Sequence, residues 1–113
     1  MHEFSLALNI IEIVDEALKT NGAKKAVEVQ LEIGTLSGVE ISALEMALES
    51  LKPKSVIEHT EIKLIITKAK AVCRNCRKEY YPEDPFSPCP KCSSYGPEII
   101  SGKELLVKSI LAE

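Results

Sequence analysis

Between residues 4 and 21, apolar side chains recur every three or four positions: Leu6, Ile10, Ile13, Val14, Ala17 and Leu18. Glu12, Asp15, Glu16 and Lys19 fall opposite them. This spacing predicts an amphipathic helix, and Gly22 after Asn21 fits a C-terminal cap with positive φ. The polar face is acidic and carries an out-of-pattern Leu8. It reads either as a solvated face or as a docking surface for a partner protein. From 26 to 33 the period drops to two. Val27, Val29, Leu31 and Ile33 alternate with Glu28, Gln30 and Glu32, which predicts a strand with one buried and one wet face. Ser37-x-x-Glu40 has the form of a capping box ahead of a second helical stripe, Ile41, Leu44, Ala47, Leu48 and Leu51, which Pro53 ends. Met46 is expected to pack within this helix.

Residues 57–72 read as one long strand leading straight into Cys73, with Ile62, Leu64 and Ile66 facing one way. His59, near its start, is expected at the surface. Residues 103–111 return as a strand, with Leu105, Val107 and Leu111 on one face. The predicted architecture is α+β: a three-stranded sheet packed by two helices, with an inserted zinc-ribbon-like four-cysteine lobe. Residues 1–70, completed by a strand at 104–113, form the α/β lobe, and 71–103 form the metal lobe. The two strands flanking the insertion are expected to be neighbours and to make a two-stranded stem for it.

All four cysteines lie in the insertion, as Cys73-Arg-Asn-Cys76 and Cys89-Pro-Lys-Cys92 with twelve residues between the pairs. A Cys-x-x-Cys turn aims both sulfurs at one point. Two such knuckles supply four thiolates around a tetrahedral ion, with Zn–S near ~2.3 Å. The apolar residues of the segment are chiefly Tyr80, Tyr81 and Phe86, too few to hold it by burial. Zinc binding energies of about 10–16 kcal/mol in finger peptides replace a missing core. Disulfides need an oxidising compartment, and the start of the chain lacks the basic-then-apolar pattern of a secretory signal. Iron takes the same ligands in rubredoxin-like sites, so the spacing leaves it open. Four sulfurs leave no coordination position for a catalytic water.

Charge and composition remove other classes. The chain has 113 residues, 45% hydrophobic, with 14 Lys+Arg against 17 Asp+Glu and a formal charge of -3. Within 71–103, Arg74, Arg77, Lys78, Lys91 and Lys103 face Glu79, Glu83, Asp84 and Glu98, so the lobe lacks the basic footprint of a nucleic-acid binder. No apolar run approaches the ~20 residues of a membrane span. The expectation is a soluble, cytoplasmic protein. His2-Glu3-x-x-Leu6 lacks the second histidine of a zinc protease, and no phosphate loop is present. The chain is therefore not expected to be an enzyme.

The opening Met1-His2-Glu3 carries a second kind of metal chemistry. The Met1 amine and the His2 amide nitrogen close a five-membered chelate ring. That amide and the imidazole Nδ1 close a six-membered one. Three nitrogens in one plane match the tetragonal preference of Ni(II) or Cu(II). Glu3 can add a fourth donor through its amide or carboxylate. Glu40 can join only if the loop before the second helix lies near the terminus. An ordinary chain start, without metal, is the competing reading.

Taken together, Met1-His2-Glu3-Phe4-Ser5-Leu6, Leu31-Glu-Ile-Gly34 with Ser37-Gly-Val-Glu40, and the two Cys-x-x-Cys pairs make the chain resemble the HypA/HybF hydrogenase nickel-incorporation proteins over essentially its whole length. The resemblance implies a nickel metallochaperone for [NiFe] hydrogenase. Ni(2+) would be transient cargo at an N-terminal site of Met1, His2 and Glu3, with His2 the principal side-chain ligand. Zn(2+) would be structural, held by Cys73, Cys76, Cys89 and Cys92. The implied partners are the GTPase accessory protein HypB, the hydrogenase large subunit and, in some bacteria, urease maturation factors. Some members carry histidines beside the zinc cysteines; here those flanks are Arg77, Lys78 and Ser93. The alternative function is a zinc-ribbon module that binds nucleic acid or protein.

Overall fold

The computed structural model describes residues 2–113. The order of elements is α1 His2–Thr20, β1 Ala26–Gly34, α2 Ile41–Leu51, β2 Glu61–Thr67, β3 Lys70–Val72, β4 Glu79–Tyr80, β5 Glu98–Ser101 and β6 Leu105–Ala112. One three-stranded sheet has the order β2-β1-β6 and a second the order β4-β3-β5. The expected α+β class, with two helices, a three-stranded sheet and a four-cysteine lobe, is the one observed. The chain divides into two compact units. The first comprises Met1–Leu31, Val39–Leu64 and Val107–Glu113, the second Glu32–Gly38 and Ile65–Leu106.

In the first unit the helices pack on each other. α1 buries Ala7, Ile10, Val14 and Leu18, and α2 buries Leu44, Ala47 and Leu48. Val29 and Leu31 of β1 and Ile57 are fully covered. Each such large aliphatic contributes about 1.5–3 kcal/mol by leaving water. Thr60 is buried too, and its hydroxyl donates to the Ala26 carbonyl at 2.8 Å. Gly22 closes α1 at φ 65°, as its position after Asn21 requires.

Several expectations need correction. Ile13 is 50% exposed, because the buried α1 stripe runs through Ala7, Ile10, Val14 and Leu18 instead. Met46 is 70% exposed and packs in no core. Ser37 does not cap α2: it lies in the turn after β1, and Glu40 is the N-cap, with extended backbone and no side-chain cap bond. The long strand at 57–72 is two strands in different sheets, and Ile66 is 47% exposed. β2 and β6 are not neighbours, since β1 lies between them. The pairing behind the metal lobe is instead β3 with β5, antiparallel, matching Ala71 with Ile99.

The break after β2 has a cause far away in sequence, within the second unit. Gly34, Ala69 and Gly102 meet backbone to backbone. A Cβ on Gly34 would fall on the Gly102 carbonyl, and one on Gly102 would fall on Ala69. Leu36 N–H donates to Gly102 O at 2.6 Å, Thr35 N–H to Thr67 O at 2.9 Å, and Ala69 N–H to the Thr35 hydroxyl at 2.9 Å. The chain leaves β2 at this seam to enter β3. Because backbone blocks the added methyl at both glycines, Gly34→Ala and Gly102→Ala are each expected to cost about 3 kcal/mol or more. Gly102, at φ 104°, adds left-handed strain. Urea unfolding midpoints check this; a Gly34→Ala midpoint equal to wild type would contradict the packing.

Candidate metal centres

The cysteine site is built from two copies of one turn. In the first, Arg77 N–H donates to Cys73 O at 3.0 Å and Cys73 N–H to Lys78 O at 2.9 Å. In the second, Ser93 N–H donates to Cys89 O at 2.8 Å and Cys89 N–H to Ser94 O at 2.9 Å. Cys76 N–H points at Cys73 Sγ and Lys91 N–H at Cys89 Sγ, each at 3.4 Å. Arg77 and Ser93, which follow the second cysteine of each pair, both turn left-handed at φ 66° and 62°. No glycine marks these positions, so the sequence pattern gave no sign of them.

All four sulfurs lie within 4.8 Å of one another. Cys73 and Cys92 are 3.5 Å apart, and Cys76 and Cys89 are 3.6 Å apart. Four ligands on a tetrahedral Zn–S sphere of ~2.3 Å would sit about 3.8 Å from one another. The set fits a structural zinc with small adjustments and leaves no open position. Cys73 and Cys89 are buried and join Ala71 and Tyr80 in the small core of the lobe. Burial and the nearby sulfurs raise the Tyr80 phenol above its usual range. It stays protonated and donates to Ser87 O at 3.0 Å.

The thiols are unequal before metal binds. The hydroxyl and amide of Ser94 hold Cys92 down to about 6. An amide bond from Lys78 lowers Cys76, but burial and the other three sulfurs outweigh it and push that thiol up to about 11. Burial works against Cys89, yet amides at Cys92 and Lys91 bring it below the ordinary value. At neutral pH Cys92 is therefore mainly thiolate and Cys76 a thiol. Zinc uptake must then expel a proton at least from Cys76. The expected outcome is proton release on zinc binding at pH 7 and faster zinc loss to a chelator below pH 6. Calorimetry in buffers of different ionisation heat, with a pH series of release rates, checks both.

The N-terminal candidates lie in the first unit. His2 and Glu3 form the first turn of α1, so the helix begins two residues earlier than the periodicity suggested. Met1 lies outside the described residues. The His2 side chain is exposed and Glu3 half-buried. Glu3 Oε2 accepts the Glu40 N–H at 3.2 Å. This bond and Glu3's own amide hold its carboxylate below the usual range, with His2 adding to the effect. Glu40 Oε1 in turn accepts the Ser42 hydroxyl at 2.8 Å. The loop before α2 thus lies beside the start of α1, the condition on which Glu40 depended. His59 and Met46 belong to neither site: His59 is exposed beside Glu58, and Met46 projects to solvent from α2.

Among the described residues no helix is long and apolar enough to cross a membrane. Residues 1–112 match the family described as hydrogenase/urease nickel incorporation, metallochaperone, hypA. The hydrogenase maturation factor HypA of Parabacteroides distasonis is 44% identical over 98% of this chain and 96% of its own. That of Aquifex aeolicus is 38% identical over 100% and 98%. The solution structure of the Ni metallochaperone HypA from Helicobacter pylori superposes with a TM-score of 0.67 at 25% identity, covering 97% of this chain and 96% of that one. A second HypA solution structure gives 0.71 at 27% identity, covering 100% and 97%. With whole-length matches to sequence and fold alike, this chain belongs to the HypA family of nickel-incorporation metallochaperones.

Proposed function

We propose that this chain carries Ni(II) on Met1, His2 and Glu3 and hands it to the [NiFe] hydrogenase large subunit with the GTPase HypB as accessory. The single observation that carries the nickel site is the first turn of α1 itself. An exposed imidazole stands beside an ionised carboxylate, and the Glu40 loop is tied to that carboxylate. The first amides of a helix have no intrahelical partner, so the nitrogens of His2 and Glu3 are not spoken for by the helix. A helix N-terminus repels a bare cation. Anionic donors offset that: a deprotonated amide and the Glu3 carboxylate. Such a site is open enough to pass nickel by ligand exchange through a mixed complex.

Residues 1–70, completed by 104–113, would form the nickel-carrying lobe, and 71–103 the lobe stiffened by zinc on Cys73, Cys76, Cys89 and Cys92. This division supports a carrier rather than an enzyme, because neither site pairs a nucleophile with a base. The setting we assign is the cytoplasm, and urease maturation factors are further candidate recipients. A nickel titration of untagged protein, followed at the His2 ring by NMR, tests the reading. Selective broadening or shift of the His2 resonances supports it; resonances unmoved at saturating nickel would refute it.

A further inference from the structure

The geometry points to Asn75 as a positioning residue that bolts one zinc knuckle to the other and sets how long the metal stays. Each knuckle is closed by its own backbone bonds, so their alignment needs something that crosses between them. Asn75 does so at the ligands. Its side-chain amide reaches Ser94 Oγ at 3.3 Å and Cys92 Sγ at 3.7 Å. One planar group thus engages a sulfur and the hydroxyl that itself stands 3.2 Å from that sulfur.

The knuckles repeat each other, so each of these residues has a counterpart. Cys73 corresponds to Cys89 and Lys78 to Ser94, from the repeated backbone bonds. Asn75 then corresponds to Lys91. The mirror of the Asn75–Ser94 contact would join Lys91 to Lys78, two cations with donors only, which cannot bond each other. The bolt is one-sided. It fixes Cys92, a half-exposed ligand. Donors to ligating sulfurs and the groups that orient ligands typically change metal affinity 10–100-fold.

This inference rests on the four cysteines holding zinc. Zinc content of the full chain is measured first, then release to a chromophoric chelator. Asn75→Ala, which leaves no cavity because the side chain is exposed, is expected to release zinc about tenfold faster. Ser94→Ala should behave similarly, and the double variant should be little faster than either single one, since both remove one contact. Asn75→Asp keeps the shape but loses the N–H donors and sets a carboxylate against sulfur, so it should release at least as fast as Asn75→Ala. Release from Asn75→Ala within twofold of wild type, a wild-type rate in Asn75→Asp, or fully additive Ala effects would each overturn the role of Asn75. A wild-type chain free of zinc would overturn the zinc assignment itself.

Discussion

Replacing His2 by alanine is expected to weaken nickel binding by at least about a hundredfold and to leave zinc content and thermal midpoint unchanged. Removing groups that merely support a ligand costs 10–100-fold, so loss of the principal side-chain donor belongs at or beyond the upper end. The fold should not notice: His2 is exposed in the first turn of α1, while the helix is held by Ala7, Ile10, Val14 and Leu18. Nickel binding should also fade on acidification, because protons compete for the imidazole and a coordinating amide must lose its own. A Gly-Ser pair placed ahead of Met1 should mimic His2→Ala if the Met1 amine is a ligand. Calorimetric titration of the three proteins decides the matter. A nickel affinity within threefold of wild type in both variants would eliminate the N-terminal site.

Stripping zinc with a strong chelator, or changing Cys89 to serine, is expected to unfold the lobe around β3, β4 and β5 while the helices persist. The core of that lobe is Ala71, Cys73, Tyr80 and Cys89. Two of the four are ligands, and one more is an alanine. Little apolar area is left to replace metal binding of about 10–16 kcal/mol. α1 and α2 keep their own core of Ile10, Val14, Leu18, Leu44 and Leu48. Hydrogen exchange should lose protection at Ala71 and Tyr80, with the far-ultraviolet helical signal largely intact. Equal protection at Ala71 with and without metal would show that the lobe folds without zinc.

What could be read from the sequence was what depends on near neighbours. The helical stripes, the alternation in β1, the positive φ of Gly22 and the convergence of the four cysteines follow from short-range spacing. The misreadings depend on distant contacts. Nothing in Ile65-Ile66-Thr67-Lys68-Ala69-Lys70 signals a break, since it holds no glycine or proline. The break comes from Gly102 pressing on Ala69. Ser37-x-x-Glu40 has the spacing of a capping box, but the turn that follows Gly34 takes up Ser37 before the helix begins. Ile13 lies near the border of its helical stripe, where a small rotation decides between core and solvent, whereas Met46, two residues from both Leu44 and Leu48, falls nearly opposite the buried face of α2. The tie between Glu3 and Glu40 was foreseeable only as a condition, because spacing cannot say where a loop folds back. Asn75 carried no signal, lying in a variable position of a metal motif.

The Gly34–Gly102 seam has a consequence for how the protein is made. The chain is synthesised from its amino end, so Gly34 waits through the whole metal-binding segment before its counterpart exists. All four cysteines, the last at position 92, are translated before the residue that closes the seam. The knuckles need only local turns to form, whereas the seam must join residues far apart in sequence, so the four ligands can converge on zinc before that junction closes.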